Sequence, residues 1–319
     1  MTVAAPRSPI PSPIDKRLLF VTGKGGAGKT TVSAAIGLAA ARRGKRTIIC
    51  EVGQQQRLPG FFQRRGIGSE ETELAPNLYA LSIDPERALE EYLHRQLGSR
   101  ALSSLLAHSR VFHYIAVATP GLRELVTVGA LWELAQPERR AQGSRYDLVI
   151  ADAPATGHGL GLLRSPKTFV DIARIGPIRG HAEQIHSFIV DPAQTGMVLA
   201  CLAEELSVNE TIELRDHLLT ELGLVVDAVV ANAVQMSRFS AREAKQLALA
   251  QRDATASAAI ATVVATALRE HASAVGQRAQ LRRLKREFPG VVAVLPFLFD
   301  PELELDSLEG LARDLEQSL

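Results

Sequence analysis

Cysteine is scarce in this chain. There are two in 319 residues, Cys50 and Cys201, and no C-x-x-C pair. Both sit in apolar, strand-like runs, which predicts buried thiols in a reducing cytoplasm rather than a disulfide. A cysteine zinc site within one chain is excluded on the same count. Long hydrophobic runs are missing too. None reaches the about 18 residues of a membrane-spanning helix, so no transmembrane segment is expected, and the N-terminus lacks a signal-peptide apolar stretch. Charge of one sign is absent as well. Lys and Arg total 36 against 35 Asp and Glu. Nothing in that balance calls for nucleic acid or an anionic membrane surface as a partner. What is abundant is apolar content, 46%, ample for a large core.

The chain is organised around Gly23-Lys24-Gly25-Gly26-Ala27-Gly28-Lys29-Thr30. This stretch fits the phosphate-binding loop G-x-x-x-x-G-K-[ST] at every fixed position. Arg17 to Thr22 before it reads as a short buried strand, and Thr30 to Arg43 after it as a helix. Strand, glycine-rich turn and helix in that order are what such a loop requires. The glycines let amides from Gly25 to Lys29 turn toward phosphate oxygens, and the helix N-terminus adds its positive end. Lys29 is expected to reach the β- and γ-phosphates of a nucleoside triphosphate, and the Thr30 hydroxyl to hold Mg²⁺. A second lysine, Lys24, is not needed to hold the loop's own nucleotide.

Further along, Arg46 to Glu51, Tyr79 to Ile83, Tyr146 to Asp152, Met197 to Leu202, Gly223 to Val230 and Val291 to Leu295 read as strands. Helical patterns separate them. The alternation predicts an α/β fold with a mostly parallel sheet covered by helices on both faces. Asp84-Pro85 reads as a helix cap and first turn. The helical stretch after it, broken at Thr119-Pro120-Gly121, is too long for a simple crossover. The expected organisation is a disordered segment over 1–16 and a single P-loop ATPase domain over 17–319. That domain carries a helical subdomain inserted at about 86–142 and 161–195. Residues 237–287 read as two helices broken near Gly276. The strand ending in Asp152 is the usual form of a second nucleotide motif, with Asp152 near Mg²⁺. The loop Ala153 to His158 that follows, shaped by Pro154 and Gly157, can sense a γ-phosphate.

These residues together resemble the ATPase family that contains the arsenical-pump ATPase and the ATPase guiding tail-anchored proteins to membranes. Lys24 to Thr31 is similar to the family loop, and Asp152 to His158 to its second switch. Ile83-Asp84-Pro85, Pro120-Gly121 with Glu124, and Glu205-Leu-Ser-Val-Asn-Glu210-Thr211 match its punctuation. The resemblance implies ATP and Mg²⁺ as ligands, with Thr31, Asn232, Pro296 and Phe297 joining Gly23 to Thr30 around the nucleotide. It implies a dimer that closes around two ATPs, with Lys24 acting in trans, and an apolar or membrane-protein client.

Three departures bear on mechanism. Gly53 falls where the family carries a water-orienting Asp, leaving Glu51, or Gln54, Gln55 and Gln56, to take that role. Glu51 is the favoured catalytic candidate beside Lys24, Lys29 and Asp152. The family's zinc cysteines and the arsenical pump's metalloid cysteines are absent, so metalloid pumping is the poorer fit. Only three methionines occur, where an adaptable apolar groove would use many. The expected function is a dimeric ATPase, slow or partner-dependent. The alternative is a weakly hydrolysing nucleotide switch in a heterodimer with a paralogue. A partition or positioning ATPase shares the loop but lacks the inserted helices.

Overall fold

The computed structural model describes residues 12–53, 57–64, 66–97, 119–136, 146–173, 176–251, 257–300 and 303–319. Eight strands form one sheet: β1 Leu18–Gly23, β2 Thr47–Val52, β3 Thr72–Ala75, β4 Leu78–Ile83, β5 Leu148–Asp152, β6 Thr195–Leu202, β7 Ala228–Val234 and β8 Val291–Pro296. Their order is β3-β4-β2-β5-β1-β6-β7-β8. Every neighbouring pair is parallel except β3–β4. The helices are α1 Lys29–Arg42, α2 Leu58–Phe61, α3 Pro85–Leu97, α4 Leu122–Leu134, α5 Thr156–Ile172, α6 Pro177–Val190, α7 Glu205–Leu222, α8 Ala241–Ala250, α9 Ala258–Glu287 and α10 Leu305–Ser318. This is the expected α/β P-loop architecture.

The layering follows from strand alternation. Leu19, Val21, Ile49 and Ile150 point to one face, where they pack with Val32 and Ile36 of α1 and Leu311 and Leu315 of α10. Phe20, Ile48, Val149 and Leu199 point to the other, where they meet residues of α4, α5, α6 and α7. A strand apolar on both faces must be covered twice, so β1, β2 and β5 are buried along their whole length. Cys50 and Cys201 are both buried in this core.

Several elements differ from expectation. The antiparallel edge strand β3 was not anticipated. It is four residues long, half-exposed, and joined to β4 through Asn77 at φ +63°. The helix α9 runs unbroken through Gly276; the break falls earlier, where Ser257 caps the helix by accepting from the Ile260 amide. One glycine costs a helix only about 1 kcal/mol. A 30-residue helix tolerates it. Folded chain also begins before residue 17. Pro13–Asp15 is a 3-10 turn with Ile14 fully buried. The buried Lys16 ammonium bonds the Pro192 carbonyl and lies 3.4 Å from Asp227. In the 86–142 stretch, α3 and α4 are described and residues 98–118 and 137–145 are not. Ala88, Leu89, Leu125, Val128 and Leu131 belong to the same apolar core as the sheet, with α3 packed against α4. Among the described residues no helix is long and apolar enough to cross a membrane.

Candidate nucleotide site

The centre of the sheet presents its carboxyl ends side by side. In register, Asp152 of β5 lies opposite Val21 of β1 and Glu51 of β2. Ligands of open α/β sheets bind at such ends. The loop between β1 and α1 is shaped by contacts that admit no side chain. A Cβ at Gly23, φ +146°, would lie 2.2 Å from the Ala200 carbonyl oxygen of β6. A Cβ at Gly28, φ +81°, would lie 2.0 Å from Asn232 Nδ2. Around Gly25 and Gly26, by contrast, a Cβ would meet nothing within 4 Å. The loop is therefore gripped at both ends and open in the middle. α1 follows with no acidic residue of its own in its first turn, so the positive end of its dipole faces the loop.

Beneath the loop is a buried carboxylate cluster. Thr30 Oγ1 donates to Asp152 Oδ2 at 2.7 Å, and Ser33 Oγ donates to Asp152 Oδ1 at 3.2 Å. Asp152 is 6% exposed. Burial pushes its pKa up to about 6, against the two hydroxyl hydrogen bonds, with the Glu51 charge raising it and Lys29 lowering it. Lys29 is also buried, and its ammonium donates to the Lys24 carbonyl at 3.2 Å. Desolvation lowers its pKa, Asp152 opposes this, and Arg57 adds to the lowering. Glu51 is 1% exposed. Its Oε1 accepts from the amides of Arg57 and Leu58, both at 3.0 Å. Its Oε2 is buried with no hydrogen-bond partner.

These groups suit a magnesium nucleotide. Among the described residues no three His, Cys, Asp or Glu side chains converge on a metal position. Mg²⁺ needs no such cage; it takes one or two protein oxygens and substrate phosphates. The Thr30 hydroxyl and Asp152 carboxylate are oxygens of that kind, and the spare Glu51 oxygen is a buried acceptor still seeking a donor such as water.

The other expected residues are distributed as follows. Lys24 Nζ lies 2.9 Å from Glu210 Oε1 of α7, each side chain about a third exposed. Asn232, at the end of β7, donates its amide to the Ala27 carbonyl at 3.1 Å and so braces the loop from behind. Pro296 ends β8. Phe297 follows, its amide donating to the Val234 carbonyl at 2.9 Å and its half-exposed ring edge-on to Phe299 at 4.9 Å. Thr31 is half-buried in the first turn of α1, and His158 is exposed in that of α5. Gly53 adopts φ +93° and borders a cavity of about 570 Å³ lined by Ser69, Ser82, Arg87 and Arg123. Gln54, Gln55 and Gln56 lie outside the described residues. Two residues were missed: Ser33, signalled by its spacing of one helical turn from Thr30, and Arg57, whose place becomes visible only through the bond that its amide donates to Glu51.

The chain matches the family described as anion-transporting ATPase over residues 16–181. It is similar to ATPase BagA of Mycobacterium tuberculosis, 29% identical over 68% of this chain and 64% of that protein. It is also similar to ATPase GET3 of Kluyveromyces lactis, 26% identical over 70% of this chain and 73% of that one. The arsenical pump-driving ATPase of Escherichia coli is 27% identical over 74% of this chain and 42% of its own length. The match thus spans less than two thirds of the mycobacterial relative. With the glycine loop, the Thr30–Asp152 pair and the parallel sheet in their expected order, this chain belongs to the anion-transporting ATPase family, the one that includes ATPases of the arsenical-pump and GET3 type.

Proposed function

We propose that the chain binds MgATP in the loop from Gly23 to Thr31 and hydrolyses it, working as a dimer. Nucleotide-driven closure of that dimer would handle an apolar or membrane-protein client in the cytoplasm. The observation that carries the catalytic part is the Thr30–Asp152–Ser33 cluster beneath a loop open at Gly25 and Gly26. In this reading the loop amides and Lys29 hold the β- and γ-phosphates. Thr30 and Asp152 would hold Mg²⁺, which supplies charge neutralisation to those phosphates. Glu51, with Oε1 tied to two amides, keeps Oε2 to orient the attacking water. Asn232, Pro296 and Phe297 flank the adenine. Lys24, at the rim and a third exposed, acts on the partner's nucleotide after exchanging its Glu210 contact.

A second reading is supported by Gly53. A left-handed glycine stands where the family carries an aspartate. That favours a slow switch completed by a paralogue in a heterodimer. MgATP turnover with mass in solution separates the two. Turnover that stops in Lys29→Ala, and stops in Lys24→Ala while ATP still binds, supports the dimeric ATPase. ATP binding without turnover supports the switch. Turnover unchanged by Lys29→Ala refutes both.

A further inference from the structure

One cation beside the nucleotide site has no assigned work. Arg57 comes after the end of β2 at Val52 and immediately precedes the turn of α2, which starts at Leu58. Its backbone is pinned: the buried Glu51 carboxylate accepts from its amide at 3.0 Å, and the next residue, Leu58, is fully buried. Its side chain is exposed. Among the described residues it forms no ion pair or hydrogen bond. Glu51 in turn stands in register with Asp152, whose carboxylate accepts from Thr30 of the loop. Arg57 is therefore carried at the rim of the same sheet end that holds the cluster. Its charge reaches Lys29: burial lowers the Lys29 pKa, and Arg57 lowers it further against Asp152.

We propose that Arg57 is a γ-phosphate-contacting residue that this chain supplies to its own nucleotide. This deepens the MgATP reading and rests on it. Guanidinium is the side chain whose fork matches phosphate oxygens, and a free one on an anchored backbone loses little on engaging them. In the hydrolysis step the water oxygen bonds to the γ-phosphorus. The bond to the β–γ bridging oxygen breaks, its electron pair leaves with ADP, and the proton lost by water passes to solvent. Charge gathers on the γ-phosphoryl and bridging oxygens as this happens. Arg57 offsets it there, in a site where Gly53 offers no side chain.

The test uses the full chain as wild type, Arg57→Ala and Arg57→Lys. Phosphate release against MgATP gives kcat and KM; equilibrium titration with ADP and with a non-hydrolysable ATP analogue gives affinities. Arg57→Ala should lower kcat about 100-fold, the cost of removing one preorganised donor. It should leave ADP affinity within about twofold and weaken the preference for the triphosphate, the contacts of Lys29 and the loop amides remaining, and Arg57→Lys should recover part of each. A kcat within twofold of wild type, with the triphosphate preference intact, overturns the proposal. Should wild type bind ATP without turnover, the hydrolysis reading fails on its own. Arg57 is then judged by the triphosphate preference alone: weakened in Arg57→Ala it stands, unchanged it falls. Absence of nucleotide binding in wild type refutes both.

Discussion

Gly28→Ala tests the geometry of the loop most directly. The new Cβ would lie 2.0 Å from Asn232 Nδ2 and 3.2 Å from its Cγ. Asn232 is 9% exposed and its amide already donates to the Ala27 carbonyl. It cannot move aside without losing that bond. A buried amide left unpaired costs about 1–3 kcal/mol. The substitution also puts a side chain at φ +81°, a strain of about 1–2 kcal/mol. The sum is about 2–5 kcal/mol, a sizeable part of an ordinary domain's stability. Asn232→Ala alone removes one hydrogen bond and should cost about 1 kcal/mol. Combined, the two changes should cost less than their sum by about 1–2 kcal/mol, because the methyl then has room. Urea unfolding of the four proteins, without nucleotide, measures the cycle. Additive costs, or a Gly28→Ala cost below 1 kcal/mol, would refute the claim that Asn232 supports the loop from behind.

Two further outcomes follow from burial and helix geometry. Asp152 has its pKa raised to about 6 in the folded chain from 3.8. Between those values the unfolded chain ionises first. The stability from the retained proton is thus complete below about pH 4 and is lost as pH rises through about 6, by at most about 3 kcal/mol. Asp152→Asn should flatten that window in melting-temperature scans of the nucleotide-free protein, while removing Mg²⁺-dependent turnover. An unchanged pH profile would count against the buried carboxylate. Gly276→Ala, at a site mid-helix in α9 where a Cβ meets nothing within 4 Å, should stabilise the chain by about 1 kcal/mol in urea unfolding. A loss of stability there would mean the helix is interrupted after all.

The legibility of this protein in its sequence divides along a physical line. Whatever depends on local pattern could be read. The strands around the centre of the sheet are apolar on both faces, so β1, β2, β5 and β6 declared themselves, as did the loop at Gly23 to Thr30. What depends on a balance between weak local costs and long-range packing could not. Gly276 looked like a helix break because its propensity is poor. The preceding helix instead ends at Ala250, and the hydroxyl of Ser257 starts the next one. β3 escaped because a short, half-exposed edge strand buries too little to leave a clear alternation.

The site shows the same division at the level of single atoms. Glu51 could be singled out as the acidic residue nearest the vacant aspartate position. Nothing in its neighbours along the chain shows that one of its oxygens would be taken by the amides of Arg57 and Leu58, six and seven residues on. That contact changes what the residue can do. A carboxylate with both oxygens free could swing between nucleotide and solvent. One anchored by two amides and 1% exposed keeps its second oxygen buried, on the strand position paired with Asp152. It also ties the start of α2 to the floor of the site. Loss of the Glu51 carboxylate should therefore disturb two things at once, the buried acceptor Oε2 and the backbone anchor of Arg57. Glu51→Gln keeps a carbonyl oxygen that can accept from the two amides but removes the charge. It should preserve the anchor and lose the electrostatics, whereas Glu51→Ala should lose both. A Gln variant as damaged in turnover as the Ala variant would assign the work to the carboxylate's charge, and an intermediate one would assign a share of it to the start of α2 that Glu51 holds.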